Sequence, residues 1–112
     1  MIYKQNAYGG DFDIVSYKGD WGIPIIFSAY TTEGFDVGDT VVFVTQDDLI
    51  PAKTWEIASA GFEFSLRFTE EEARKLSEKP CRYSFKRYRN GQFLETLANG
   101  NIIIKDTVLW QN

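Results

Sequence analysis

The chain has 112 residues, 44% hydrophobic, 25% charged and 16% aromatic, with a formal net charge of −4. A chain of this length buries roughly two-thirds of its unfolded surface, enough for one core without staples, and its composition is that of a folded rather than a disordered segment. It has no histidine and one cysteine, Cys81, which removes histidine-based triads and dyads, histidine-ligated zinc or iron, and any intramolecular disulfide.

From the N-terminus, the run MIYKQNAYGG lacks the apolar segment of a signal peptide. Segments 11–17, 24–30, 40–46 and 53–57 are rich in Val, Ile, Phe, Thr and Tyr and are predicted strands. Val41, Val42, Phe43 and Val44 are apolar at both parities, which suits a central or covered strand. Segments 30–38 and 47–52 are predicted loops. In 61–68, Phe62, Phe64, Leu66 and Phe68 alternate with Glu63, Ser65 and Arg67. Successive strand side chains point to opposite faces, so this segment buries one face and wets the other.

One short helix is expected around residues 69–78. Thr69 and Glu72 have the spacing of a capping box, the threonine accepting from the amide of residue 72 and the glutamate reaching back. Glu70, Glu71 and Glu72 suit the positive end of the helix dipole, Arg74, Lys75 and Lys79 the negative end, and Pro80 closes the helix. Only Ala73 and Leu76 are apolar, so the helix should lie on the body. Beyond it, Cys81, Tyr83 and Phe85 alternate with Arg82, Ser84 and Lys86. Asn90-Gly91 and Asn99-Gly100 then separate runs 92–97 and 101–105. Asn-Gly between strand-like runs signals a type I′ hairpin, and two in succession predict a three-stranded antiparallel meander. The whole reads as one domain, 1–112, of all-β class: an antiparallel, immunoglobulin-like β-sandwich with one short helix. A small closed barrel is the alternative.

The carboxylates are the only candidate catalysts: Asp11 and Asp13, Glu33, Asp36 and Asp39, Asp47 and Asp48, and Glu70 to Glu72. A glycosidase needs two acids facing each other across a cleft, and nothing in the spacing forces that meeting. Asp36 and Asp39 flank Gly38, where aspartates commonly satisfy turn amides. The glutamate run is helix capping, and Asp47-Asp48 lacks the loop spacing of an EF-hand and reads as a solvated turn. The stretch RYSFKRYR at 82–89 interleaves aromatic and basic residues as single-strand nucleic-acid platforms do. Strand parity instead sends Tyr83 and Phe85 to the core and Arg82 and Lys86 to water. Arg87 shares the inward parity but lies near the hairpin end, within reach of solvent. Cys81 has core parity and reads as a buried structural thiol. Trp21 lies in a turn and Trp110 near the C-terminus, so both are candidate exposed partner-binding residues, whereas Trp55 falls mid-strand and belongs to the core.

The order of these features resembles the small immunoglobulin-like domain at the N-terminus of phage baseplate upper proteins, and similar short phage tail proteins. The resemblance spans about residues 12–108. It runs through Lys18, Gly19 and Asp20, the stretch FDVGDTVVF at 35–43, and Phe64 and Leu66 ahead of TEEEARKL at 69–76. Tyr83, Ser84 and Phe85 follow, leading to Asn90-Gly91, then Glu95, Thr96 and Leu97, Gly100, Ile102 to Ile104, and Val108. It implies a non-enzymatic structural module of a phage or prophage tail or baseplate, made in the bacterial cytoplasm and carried in the virion. Such a module docks to other tail or baseplate proteins, with a homo-oligomer as a further possibility. The family has no catalytic residues to transfer, and no cofactor, metal, membrane or duplex nucleic acid is expected. The alternative expectation is a carbohydrate- or cell-surface-binding β-sandwich, whose mark would be a flat row of exposed aromatic rings on one face.

Overall fold

A computed structural model describes residues 2–4, 12–17, 22–29, 38–57 and 62–105. The elements in chain order are β1 (Ile2–Lys4), β2 (Ile14–Tyr17), β3 (Ile25–Ala29), β4 (Thr40–Thr45), a 3-10 turn (Gln46–Asp48), β5 (Lys53–Glu56), β6 (Phe62–Leu66), α1 (Glu70–Ser77), β7 (Cys81–Arg89) and β8 (Gln92–Lys105). The protein is therefore all-β with one short helix. Its strands form a three-stranded sheet, β1-β3-β6, and a five-stranded sheet, β2-β8-β7-β4-β5.

Aromatic side chains join the inner faces of the two sheets. Phe27 and Phe64 of the smaller sheet meet Phe85 of the larger with ring centroids 5.0 and 5.5 Å apart, and Trp55 stands 4.6 Å from Phe64. Phe43 continues the cluster to Phe85 at 5.1 Å and to Tyr83 at 5.8 Å. Ile14, Val41, Leu66 and Ile102 fill the spaces between the rings and are fully buried. The alternation in β6 behaves as its sequence requires: Phe64, Leu66 and Phe68 are buried while Glu63, Ser65 and Arg67 are exposed. Cys81, Tyr83 and Phe85 are buried on the inward parity of β7. Helix α1 carries the expected capping box, Glu72 N donating to Thr69 Oγ1 (3.1 Å) and Thr69 N to Glu72 Oε1 (3.0 Å). Its Leu76 seals the core beneath it, and Lys53 of β5 pairs with Glu72 at 2.9 Å.

Two expectations need correction. The larger sheet is mixed, because β2 runs parallel to β8, with Ile14 opposite Ile102 and Tyr17 opposite Lys105. Residues just before β2 set that direction. Phe12 N donates to the Asn99 carbonyl at 3.2 Å, the Tyr83 hydroxyl donates to the Phe12 carbonyl, and Asp13 accepts from the Asn101 amide at 3.1 Å. The chain is thereby pinned beside the middle of β8 and continues in the same sense.

Second, Asn99-Gly100 is not a turn. β8 runs unbroken for 14 residues, so the expected meander is a two-stranded hairpin with one long leg. Gly100 has ordinary extended backbone, and its missing side chain serves a different end: a Cβ there would overlap the Phe12 carbonyl. Glycine inside a strand commonly marks such a close backbone approach. Asn90-Gly91, by contrast, is the predicted type I′ turn, with φ of 52° and 78°.

Candidate functional site

The most distinctive chemistry lies along β7, which carries four cations at two parities. Arg82 and Lys86 point outward, while Arg87 and Arg89 share the inward parity of Tyr83 and Phe85. Arg87 does not reach solvent as expected; only 5% of its surface is exposed. Burying a charge is unfavourable unless it is paired, and here the partner is Asp39, just before β4 and itself 0% exposed. Arg89 donates to both oxygens of the Asp39 carboxylate, Nε at 2.7 Å and Nη2 at 3.0 Å. Arg87 Nε stands 3.2 Å from Asp39 Oδ2, and its Nη1 lies 3.4 Å from Glu95 Oε2. The backbone holds Asp39 in place: Ile57 N donates to the Asp39 carbonyl at 2.8 Å and Gly38 N donates to the Ile57 carbonyl at 3.4 Å. The Asp39 carboxylate, read in the sequence as a turn-amide acceptor, instead pairs with two guanidinium groups, and Glu95 supplies the second negative charge. Sequence reading missed this cluster, although the inward parity of Arg87 was its signal.

The cluster lies at the turn end of the β7–β8 hairpin: Arg89 pairs with Gln92 across Asn90-Gly91, and β4 flanks β7 as far as Tyr88. The second leg of this arm, from Gln92 to Thr96, is exposed at every position. The β7–β8 register shifts twice, between Phe85 and Lys86 and between Arg87 and Tyr88. Each shift leaves an extra residue on β8, Leu97 and Leu94, as in a β-bulge. Leu97 is buried, while Leu94 remains 41% exposed beside Phe93 at 52%. Phe93 meets Tyr88 edge-on, centroids 5.8 Å apart at 70°, and Lys86 Nζ lies 6.0 Å from the Phe93 ring. The rings thus stand across one another and form no flat stacking row.

Trp21 and Trp110 lie outside the described residues. Trp55 is half-buried against Phe64, as its mid-strand position required. Of the carboxylates, Asp13 is occupied by Asn101, Glu72 by the helix cap and Lys53, and Glu70 by Arg74 at 3.4 Å. Asp47 and Asp48 sit exposed at the end of β4 with φ of 56° and 50°. Among the described residues no three acidic or cysteine side chains converge on one point, and no helix is long and apolar enough to cross a membrane. Two open clefts lie among the described residues. One of about 350 Å³ is lined by Val44, Gln46, Arg82, Ser84 and Lys86, and one of about 210 Å³ by Gln46, Asp47, Lys79 and Cys81. Compared with protein-family models and with curated proteins, the sequence matches none.

Proposed function

We propose that the chain is a non-enzymatic structural module of a phage or prophage tail or baseplate, and that it docks onto other virion subunits through the β7–β8 arm. The resemblance of the sequence to baseplate upper protein N-terminal domains supports the setting. The strand order supports the immunoglobulin-like reading. With β1, β3 and β6 as A, B and E, and β8, β7, β4 and β5 as G, F, C and C′, seven of the eight strands fall in an order compatible with that reading, β2 being an added edge strand parallel to β8.

The observation that carries the docking role is the arm itself. Phe93 and Leu94 hold apolar surface in water near the end of a hairpin whose turn end is braced by Arg87, Arg89 and Asp39. A braced support lowers the ordering cost of association, and aromatic anchors of this kind dominate binding energy at interfaces. The glycan alternative is less well served, because Tyr88 and Phe93 meet edge-to-face. The test is co-sedimentation with tailed particles induced from the strain that encodes the chain. The wild-type protein should travel with the particles, and the Phe93→Ser, Leu94→Ser double variant should remain in the supernatant. Wild-type protein that never accompanies particles would overturn the proposal.

A further inference from the structure

The inward cations of β7 are neutralised, and its outward cations are not. Among the described residues Arg82 reaches only the Asn99 side-chain oxygen, at 3.5 Å, and Lys86 only the face of Phe93. Neither has a carboxylate partner among the described residues. They flank Ser84 on the outer face of the larger sheet, about 13 Å apart along the strand by ordinary strand rise. Beside them Val42 and Val44 of β4 turn outward and are half-buried, opposite Lys86 and Ser84 in register. This is a face with two uncompensated positive charges and an aliphatic border.

The complementary feature lies at the rim of the same cleft. Gln46 lines it together with Arg82 and Lys86, and the next two residues are Asp47 and Asp48. Both aspartates are exposed and, among the described residues, make no ion pair. Their left-handed backbone conformation, uncommon outside glycine, asparagine and aspartate, turns the chain sharply away from β4. Arg82 and Lys86 face outward from the sheet while the aspartates stand at its end, so the two patches are neighbours that do not neutralise each other within one chain.

A surface bearing adjacent patches of opposite sign is self-complementary under a two-fold rotation, the requirement for an isologous dimer. We propose that this edge is a dimer interface between two copies of the chain. Asp47 and Asp48 of each copy approach Arg82, Ser84 and Lys86 of the other, covering Val42 and Val44. Direct superposition of one cationic face on another would set Arg82 and Lys86 against themselves, so the pairing is offset toward the β4 end. This deepens the assembly reading by naming one partner and rests on it only for its setting; Phe93 and Leu94 lie toward the turn end of β7 and meet this face only where Lys86 rests on the Phe93 ring.

The experiment is sedimentation velocity of the full chain at low and high salt. Screening shortens the Debye length from about 30 Å at 0.01 M to about 3 Å at 1 M. A dimer is expected at low salt, with its dissociation constant rising about tenfold or more at high salt. Arg82→Glu with Lys86→Glu should be monomeric at low salt, as should Asp47→Asn with Asp48→Asn, where asparagine tolerates the backbone conformation. Circular dichroism of each variant checks its fold. Mixing the two variants restores one of the two sets of ion pairs and should return a mixed dimer weaker than the wild type. The Leu94→Ser variant, which leaves Lys86 on the Phe93 ring, should dimerise normally, so failure of the arm proposal and failure of this one are distinguishable. A wild-type chain monomeric at low salt, or a dimer indifferent to salt and to both charge variants, overturns the inference.

Discussion

The two halves of β7 share one strand, one parity rule and one pair of neighbours, yet they hold the molecule together in opposite ways. In the first half, Tyr83 and Phe85 point inward among Phe27, Phe43 and Phe64, where the rings of both sheets close over them. In the second half, Arg87 and Arg89 point inward and meet Asp39 and Glu95. The hydrophobic half is stabilised by area removed from water, a term that needs no particular partner. The charged half is stabilised only while each guanidinium has its carboxylate, because a buried charge left alone is strongly unfavourable. One half therefore tolerates reshaping at a graded cost, and the other fixes the identity of its partners.

The largest expected effect breaks the hydrophobic half. Phe85→Ala removes the ring that both sheets share and should lower stability by about 3–5 kcal/mol, read from urea unfolding. A loss below about 1 kcal/mol would mean that the two sheets do not pack through that ring.

Breaking the charged half comes next. Asp39→Ala leaves Arg87 buried without its carboxylate and should cost about 3 kcal/mol, moderated because Arg89 is partly exposed. The sharper form is a double-mutant cycle. Arg87→Met combined with Asp39→Leu should cost clearly less than the sum of the two single changes, since the coupled charges are removed together. Additive losses would show that Arg87 and Asp39 are not energetically coupled and that the arm is held by something else.

The smallest effect sharpens the boundary between strand and turn. Gly100→Ala forces the Phe12 carbonyl away from β8 and should cost about 1–3 kcal/mol, with hydrogen-exchange protection lost first in β2. A neutral substitution would mean that β2 does not lie against β8 as described.

Much of the secondary structure was legible because it rests on local physics. The capping box of Thr69 and Glu72, the alternation through Phe64 and Phe68, and the positive-φ turn at Asn90-Gly91 depend on residues a few positions apart. Asn99-Gly100 has the same local signature as Asn90-Gly91, and only the arrival of Phe12, 88 residues from Gly100, decides that the chain there runs straight. The inward parity of Arg87 marked the ion cluster locally, but its partner was illegible for the same reason. Asp39 and Arg89 are 50 residues apart in sequence, and neither carries any mark of the other.

The sequence by itself determined that this chain would be a single-thiol, histidine-free, strand-rich molecule with one capped helix and one tight hairpin. Those properties follow from composition, period and turn chemistry, which act within a few residues. The tertiary structure decided which cations of β7 are neutralised and which face water, that β2 lies parallel on β8, and that β8 continues through a glycine. Each of these depends on which distant backbone or carboxylate comes within about 3 Å, the range over which a hydrogen bond or an ion pair forms. No local pattern encodes that distance.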